Sequence, residues 1–162
     1  MVLDRVRVSL GSAVVLDLIQ GKVDVMPTTL YLMTYHPGKC DANCAFCPQA
    51  RTTRGRADML SRVTWPPFPT KKVVSGVRMI SSSGLVKRLC IQAMNYGEVF
   101  KDTVGLVTKF KECSDTPISV CCQPLNATRI KELAEAGVDR ICFAVDAVTR
   151  ELFDRVKGRG VG

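Results

Sequence analysis

The chain contains one histidine and one tryptophan, and aromatic residues make up only 6% of it. A nucleic-acid surface would need its basic residues clustered and interleaved with aromatics. Here Lys+Arg 23 against Asp+Glu 15, a formal net charge of +8, is spread along the chain. The surplus therefore reads as a solvated basic surface, with nucleic acid not expected as a partner. Also missing is any apolar run near the roughly 18 residues that would span a bilayer. The start, Met1 to Arg7, carries charges where a secretory signal would be apolar. A cytoplasmic protein without membrane association is the expectation. Disorder is excluded by 46% hydrophobic residues, and 162 residues leave room for one ordinary domain.

The most informative absence is that of a fourth ligand. Cys40, Cys44 and Cys47 form a C-x3-C-x2-C run, with the aromatic Phe46 just before the last, and no other cysteine stands nearby. Eight cysteines in a chain with no secretory signal read as reduced thiols and metal ligands rather than a disulfide framework. Soft thiolates select zinc, copper(I) or iron–sulfur centres, and a closed structural site wants four ligands. Three thiolates suggest a [4Fe-4S] cluster with one iron open to an exogenous ligand. The rival reading takes His36 as fourth ligand, closing a structural zinc with the three cysteines in a nucleic-acid-binding module. Against it, all four would lie in one loop of a β/α array, whereas a zinc finger needs its metal because it has little core. Arg51, Arg54 and Arg56 follow directly, a basic segment suited to an anionic part of a ligand.

Along the chain, residues 4 to 20 mix charges with Val8, Leu10, Val14, Val15 and Leu18. This predicts a helix, within an N-terminal helical extension over residues 1–27 that stops near Gly21. From residue 28 to 162 strand and helix alternate. Thr28 to Tyr35 is β-rich, and Val73, Val74, Val77 and Ile80 mark a helix ending near Gly84. Val86 to Met94 precedes a helix with Phe100, Val104 and Val107 on one face. Pro117 to Cys122 precedes one carrying Ile130, Leu133 and Ala134, capped by Gly137. Arg140 to Val145 precedes a last helix with Leu152, Phe153 and Val156, followed by Gly158. Four β/α units of this kind require a parallel sheet with right-handed crossovers.

The strand faces choose between a barrel and an open sheet. Leu89, Ile91 and Ala93 alternate with Cys90, Gln92 and Met94; Ile118, Val120 and Cys122 with Ser119, Cys121 and Gln123; Ile141, Phe143 and Val145 with Cys142, Ala144 and Asp146. A strand buried between two helix layers reads as a continuous aliphatic run. One aliphatic and one small, polar or sulfur-bearing face instead predicts a lumen that holds a ligand, as in a partial (β/α) barrel. Cys90, Cys121 and Cys142 would all point into it, and Cys113 and Cys122 are assigned to packing.

The cysteine run directly after the first strand of such an array resembles the radical S-adenosylmethionine superfamily. The resemblance implies that Cys40, Cys44 and Cys47 hold a [4Fe-4S] cluster whose fourth iron is chelated by S-adenosylmethionine. It implies reductive cleavage of that cofactor to a 5′-deoxyadenosyl radical that abstracts a substrate hydrogen, with electrons from a reductant such as ferredoxin or flavodoxin. Further cofactor-binding positions follow from it. Phe46 would shield the cluster or pack near the adenine, core packing being the alternative. Asn95, Gly97 and Glu98 stand where the family often has Gly-Gly-Glu for the methionine amino group, with Gly97 and Glu98 matching. Asp146 stands where relatives place a polar side chain on the ribose hydroxyls, a helix cap being the alternative.

Over roughly residues 30 to 160 the likeness is to the biotin synthase and lipoyl synthase branch. It rests on Cys47-Pro48-Gln49 with the basic stretch after it, Arg88-Leu89-Cys90, and Ala134 to Phe153. That branch implies a possible role for Cys90, Cys121 and Cys142 in an auxiliary cluster. Thr34-Tyr35-His36-Pro37-Gly38-Lys39 and Cys47-Pro48-Gln49-Ala50 resemble archaeal-type two-component lipoyl synthases. These insert two sulfurs into an octanoyl chain on a carrier-protein lysine, so a second radical enzyme subunit and an acyl-carrying protein domain become expected partners. The superfamily core usually has six β/α units. Four are counted here before the run from Gly158 to Gly162, so the expectation is a barrel truncated after about its fourth unit.

Overall fold

Residues 3–158 are described by the computed structural model. Of the glycine-rich run, residues 159–162 lie outside the described residues. In chain order the elements are β1 (Arg5–Val8), α1 (Leu10–Val15), β2 (Thr29–Thr34), β3 (Met59–Leu60), β4 (Val63–Thr64), β5 (Pro67–Pro69), α2 (Thr70–Ser81), β6 (Arg88–Gln92), α3 (Val99–Lys111), β7 (Ile118–Cys121), α4 (Ala127–Glu135), β8 (Arg140–Cys142) and α5 (Arg150–Lys157).

The four strands expected to alternate with helices are β2, β6, β7 and β8. They pair in that order and all in parallel. Consecutive parallel strands need a crossover, and α2, α3 and α4 supply it. The six-stranded sheet runs β5-β1-β2-β6-β7-β8 and does not close into a barrel among the described residues. It is the open, partial form of a β/α barrel.

One expectation is corrected at the N-terminus. Residues 4–20 are not one helix: Arg5-Val6-Arg7-Val8 forms β1, antiparallel to both β2 and β5, and only Leu10–Val15 is helical. The alternation of Val6 and Val8 with arginines has period two, and both valines are fully buried in the core. The segment expected to be a helical extension thus contributes a strand to the sheet. On its outer side β5 carries Pro67 and Pro69, residues that cannot serve a central strand and are tolerated at an edge.

The two-faced reading of the strands holds where they are regular. Leu30, Leu32, Leu89, Ile91, Ile118 and Val120 join Val73 and Val77 of α2 and Leu106, Val107 and Phe110 of α3 in one core. Each such side chain, fully withdrawn from water, stabilises by about 1.5–3 kcal/mol. Cys113 and Cys122 pack against this cluster, as expected. The opposite face holds Tyr31, Met33, Cys90, Gln92, Ser119 and Cys121, and at its open end Tyr31 is 44% exposed. β8 is shorter than the predicted Arg140 to Val145. Beyond it Phe143, Val145 and Val148 are exposed, so this side of the sheet is apolar and uncovered among the described residues.

Candidate functional site

The carboxyl ends of β2, β6 and β7 lie together because the strands are parallel and in register, Met33 beside Gln92 and Gln92 beside Cys121. In parallel α/β folds, sites form at this end. The segment after β2 folds back over it. Cys40 N–H donates to Gln49 O (3.0 Å) and Arg51 N–H to Ala42 O (2.9 Å), so the two limbs of the cysteine loop pair with each other. Tight turns follow, Cys47 N–H to Cys44 O (3.0 Å) and Ala50 N–H to Cys47 O (3.1 Å).

Side chains fix the loop from within. Lys39 Nζ donates to Pro48 O at 3.1 Å and also to Gly55 O. The buried Gln49 amide reaches Met59 O (3.0 Å) and Met33 Sδ (3.5 Å). Asn43 Oδ1 accepts from the Thr52 amide and hydroxyl at 3.1 and 2.8 Å. The loop is tied to the sheet by Asp41 N–H donating to Asn95 O (2.9 Å) just past β6.

The result is a cavity of about 160 Å³ lined by Cys40, Cys44 and Cys47 of the loop together with Met33, Gln92, Asn95 and Gln123 at or just beyond the strand ends. Burial pushes the Cys40 and Cys44 thiols up. The Ala42 and Asn95 backbone draws Cys40 partly back down, and the charge of Lys157 does the same for Cys44. Negative charge on Cys47 raises both Cys40 and Cys44, and charge on Cys40 raises Cys44 further. Such thiols hold their protons until a cation compensates the charge, as metal binding does.

Among the described residues no three His, Cys, Asp or Glu side chains gather around a single ion position. His36, the fourth ligand of the zinc alternative, is stacked on Tyr96, ring centroids 4.8 Å apart and 12° from parallel, and does not line the cavity that the three cysteines share. A cubane cluster has a different requirement, since each thiolate binds its own iron at a separate corner. Three soft thiols facing one cavity fit that donor set.

The other expected site residues are placed as follows. Asn95 lines the same cavity as the cysteines. Gly97 and Glu98 lie beyond it in the exposed turn opening α3, where Glu98 is the residue before the helix and makes no side-chain cap. Phe46 is 64% exposed, which removes the core-packing alternative. Asp146 is not the cap of α5 either: Thr149 Oγ1 accepts from Leu152 N–H at 3.3 Å in that role. Instead Asp146 forms an ion pair through Oδ2 with Lys157 Nζ. Arg51 and Arg54 are exposed, and Arg56 is engaged by Asp58 (2.6 Å).

Lys157 is the residue that sequence reasoning missed. It closes α5, is only 6% exposed, and its Nζ lies 5.9 Å from the centre of the Phe46 ring. Burial disfavours its charge, but the bond to Asp146 and the proximity of Cys44 outweigh that and raise its pKa above the ordinary lysine value. The main chain adds two bonds, Asn43 N–H to Lys157 O (3.1 Å) and Ala45 N–H to Val156 O (2.8 Å).

A second group of thiols sits lower on the same face. Cys90 and Cys121 Sγ atoms are 3.8 Å apart, Gln92 Nε2 donates to Cys90 Sγ (3.3 Å), and Cys142 is the register partner of Cys121. The contact between the two sulfurs pulls the Cys90 thiol down and pushes that of Cys121 up. Cys142 is exposed, so the structure brings two of these three cysteines into contact and leaves the third at the open edge.

Residues 34–161 match the Radical SAM superfamily, from the end of β2 through α5. A biotin synthase of Desulforudis audaxviator (strain MP104C) is 26% identical over 105 residues, 64% of this chain and 30% of that protein. The chain therefore spans about a third of the length of this relative.

Proposed function

Since the chain belongs to the radical SAM superfamily, we propose that its Cys40, Cys44 and Cys47 hold a [4Fe-4S] cluster and that the cavity beside them receives S-adenosylmethionine. The observation that carries this reading is that all three thiols line one cavity at the carboxyl ends of β2, β6 and β7. When bound and reduced, the cluster supplies the electron that splits the sulfonium of S-adenosylmethionine to methionine and a 5′-deoxyadenosyl radical.

The chain's own contribution is binding and exclusion. Asn95 and Gln123 present amides to the cavity, suited to the polar groups of an amino acid. Met33 and Met94 supply an apolar wall that keeps water from the reacting centre. Asp146 is close enough to the cysteine loop to share Lys157 with Cys44, and a carboxylate there accepts from ribose hydroxyls. A low-potential protein such as ferredoxin or flavodoxin is the proposed electron source.

Within the superfamily we assign the chain to sulfur insertion into an octanoyl chain on a carrier-protein lysine. The support is the likeness of residues 34–39 and 47–50 to two-component lipoyl synthases and the similarity to a biotin synthase. A second subunit and an acidic acyl-carrying domain are the partners this implies, and a net charge of +8 favours the latter encounter. Other biotin-synthase-like radical chemistry is the second reading, favoured by the paired thiols Cys90 and Cys121 on the same face.

Anaerobic incubation with S-adenosylmethionine, reductant and an octanoyl-lysine carrier peptide, with and without a partner subunit, tests both levels. Thiolated peptide supports the full assignment. Deoxyadenosine without thiolation retains the radical chemistry and rejects the substrate, and neither product rejects the reading.

A further inference from the structure

The end of α5 and the cysteine loop meet through four kinds of contact at once. The loop donates two main-chain hydrogen bonds to the carbonyls of Val156 and Lys157. The Lys157 ammonium binds Asp146, approaches Cys44, and lies near the face of Phe46. Gly158 sits against Asn43, where a Cβ would come within 2.8 Å of the Asn43 Cβ. A buried lysine is costly unless paired, and this one is placed between the Asp146 carboxylate and the thiol of Cys44, a proposed cluster ligand, two groups from different loops.

We propose that Lys157 is a positioning residue, a charged latch that docks α5 on the cysteine loop and offsets the negative charge gathered by the three thiolates. This rests on the cluster reading above. Three thiolates and the Asp146 carboxylate would stand in one partly buried region with Lys157 as their buried cation. A positive charge held there favours the electron-rich state of the site, because charges interact more strongly where water is excluded. The latch also explains why a lysine is withdrawn from solvent at the end of a helix whose other charged residues include exposed Arg150 and Glu151.

The test compares wild type, K157M and K157R in the full chain by two measurements. In metal-free protein, hydrogen exchange at the Asn43 and Ala45 amides reports the docking. In anaerobically reconstituted protein, an electron-paramagnetic-resonance redox titration reports the charge. K157M is expected to exchange about tenfold faster at both amides and to favour reduction about tenfold less, a fall of about 59 mV for a one-electron couple. K157R, which keeps the charge, stays near wild type in both. Either readout unchanged in K157M overturns the proposal, and so does a K157R as impaired as K157M, which would make the role one of shape.

If circular dichroism shows that K157M does not fold, D146N decides. It keeps the ammonium and removes a negative charge, so the potential rises; an unchanged or lower potential overturns the proposal. If wild type takes up no cluster while exchange responds as expected, the cluster reading fails and the latch stands.

Discussion

Replacing Gly158 by alanine strikes the junction of α5 and the cysteine loop by a purely steric route. Gly158 has φ +89° and ψ 144°, a region that side-chain-bearing residues rarely enter. Holding a non-glycine residue in such a conformation costs of order 1–3 kcal/mol. The added methyl would also lie 2.8 Å from Asn43 Cβ and 3.5 Å from its Cα, so backbone or loop must give way. Together these predict a loss at the upper end of that range, about 2–3 kcal/mol, if the α5 end stays docked. In a chain of this size about 1 kcal/mol lowers Tm by about 2–4 °C, so a fall of roughly 4–12 °C is expected. Gly11→Ala is the matched control. Gly11 lies in α1, has no atom within 4 Å of an added Cβ, and should gain about 0.5–1 kcal/mol. Urea unfolding of both variants, with exchange at Asn43 as the local probe, reads the outcome. Equal stabilities for the two variants, or unchanged protection of Asn43 in Gly158→Ala, would refute the account of this junction.

Other outcomes follow from the same structure. Ile91→Ala, in the fully buried middle of β6, should cost about 2–5 kcal/mol by urea unfolding, against less than about 1.5 kcal/mol for Ile91→Val. Asp139 accepts from Ile118 N–H (2.8 Å) and meets Lys111 (3.3 Å), which together hold its pKa below the ordinary carboxylate value despite some burial. A depressed folded-state pKa gives stability that is present above the unfolded value, about 3.9, and lost as pH falls through the folded one. Asp139→Asn should therefore flatten the pH dependence of stability below about pH 4 relative to wild type, and an unchanged acid limb would count against it. Cys44→Ala should abolish iron uptake, whereas Cys113→Ala, whose thiol packs against the core away from the cavity and donates to Phe110 O (3.3 Å), should retain it, as measured by iron analysis after anaerobic reconstitution.

The sequence made the repeating part of the fold legible because periodicity survives folding. Val73 and Val77, then Leu106 and Phe110, bury one stripe of each helix, and Leu89/Ile91 and Ile118/Val120 bury one face of each strand. It failed at β1, where four residues of period two were absorbed into a longer helical pattern. The alternation of Arg5-Val6-Arg7-Val8 was the available signal, and the burial of Arg7, whose Nη1 donates to Trp65 O at 3.1 Å, concealed its polar phase. The three cysteines and Asn95 could be singled out as candidates because ligand chemistry and strand-end position restrict them, and they line one cavity. Lys157 was not, since a lysine at a helix end is ordinary in sequence. Only the return of α5 to a loop far earlier in the chain places it beside Cys44 and Asp146. The same return turned Asp146 from an isolated acid into half of an ion pair, and left the capping role to Thr149.

The central claim is that the three cysteines leave one position of an iron–sulfur cluster for S-adenosylmethionine. Mössbauer spectroscopy of protein reconstituted with isotopically enriched iron, recorded before and after adding S-adenosylmethionine, tests it most directly. The account predicts about four irons per chain, one of which changes its spectrum on addition while the others do not. Protein that holds zinc in place of iron, or a cluster whose irons are all indifferent to S-adenosylmethionine, would contradict it.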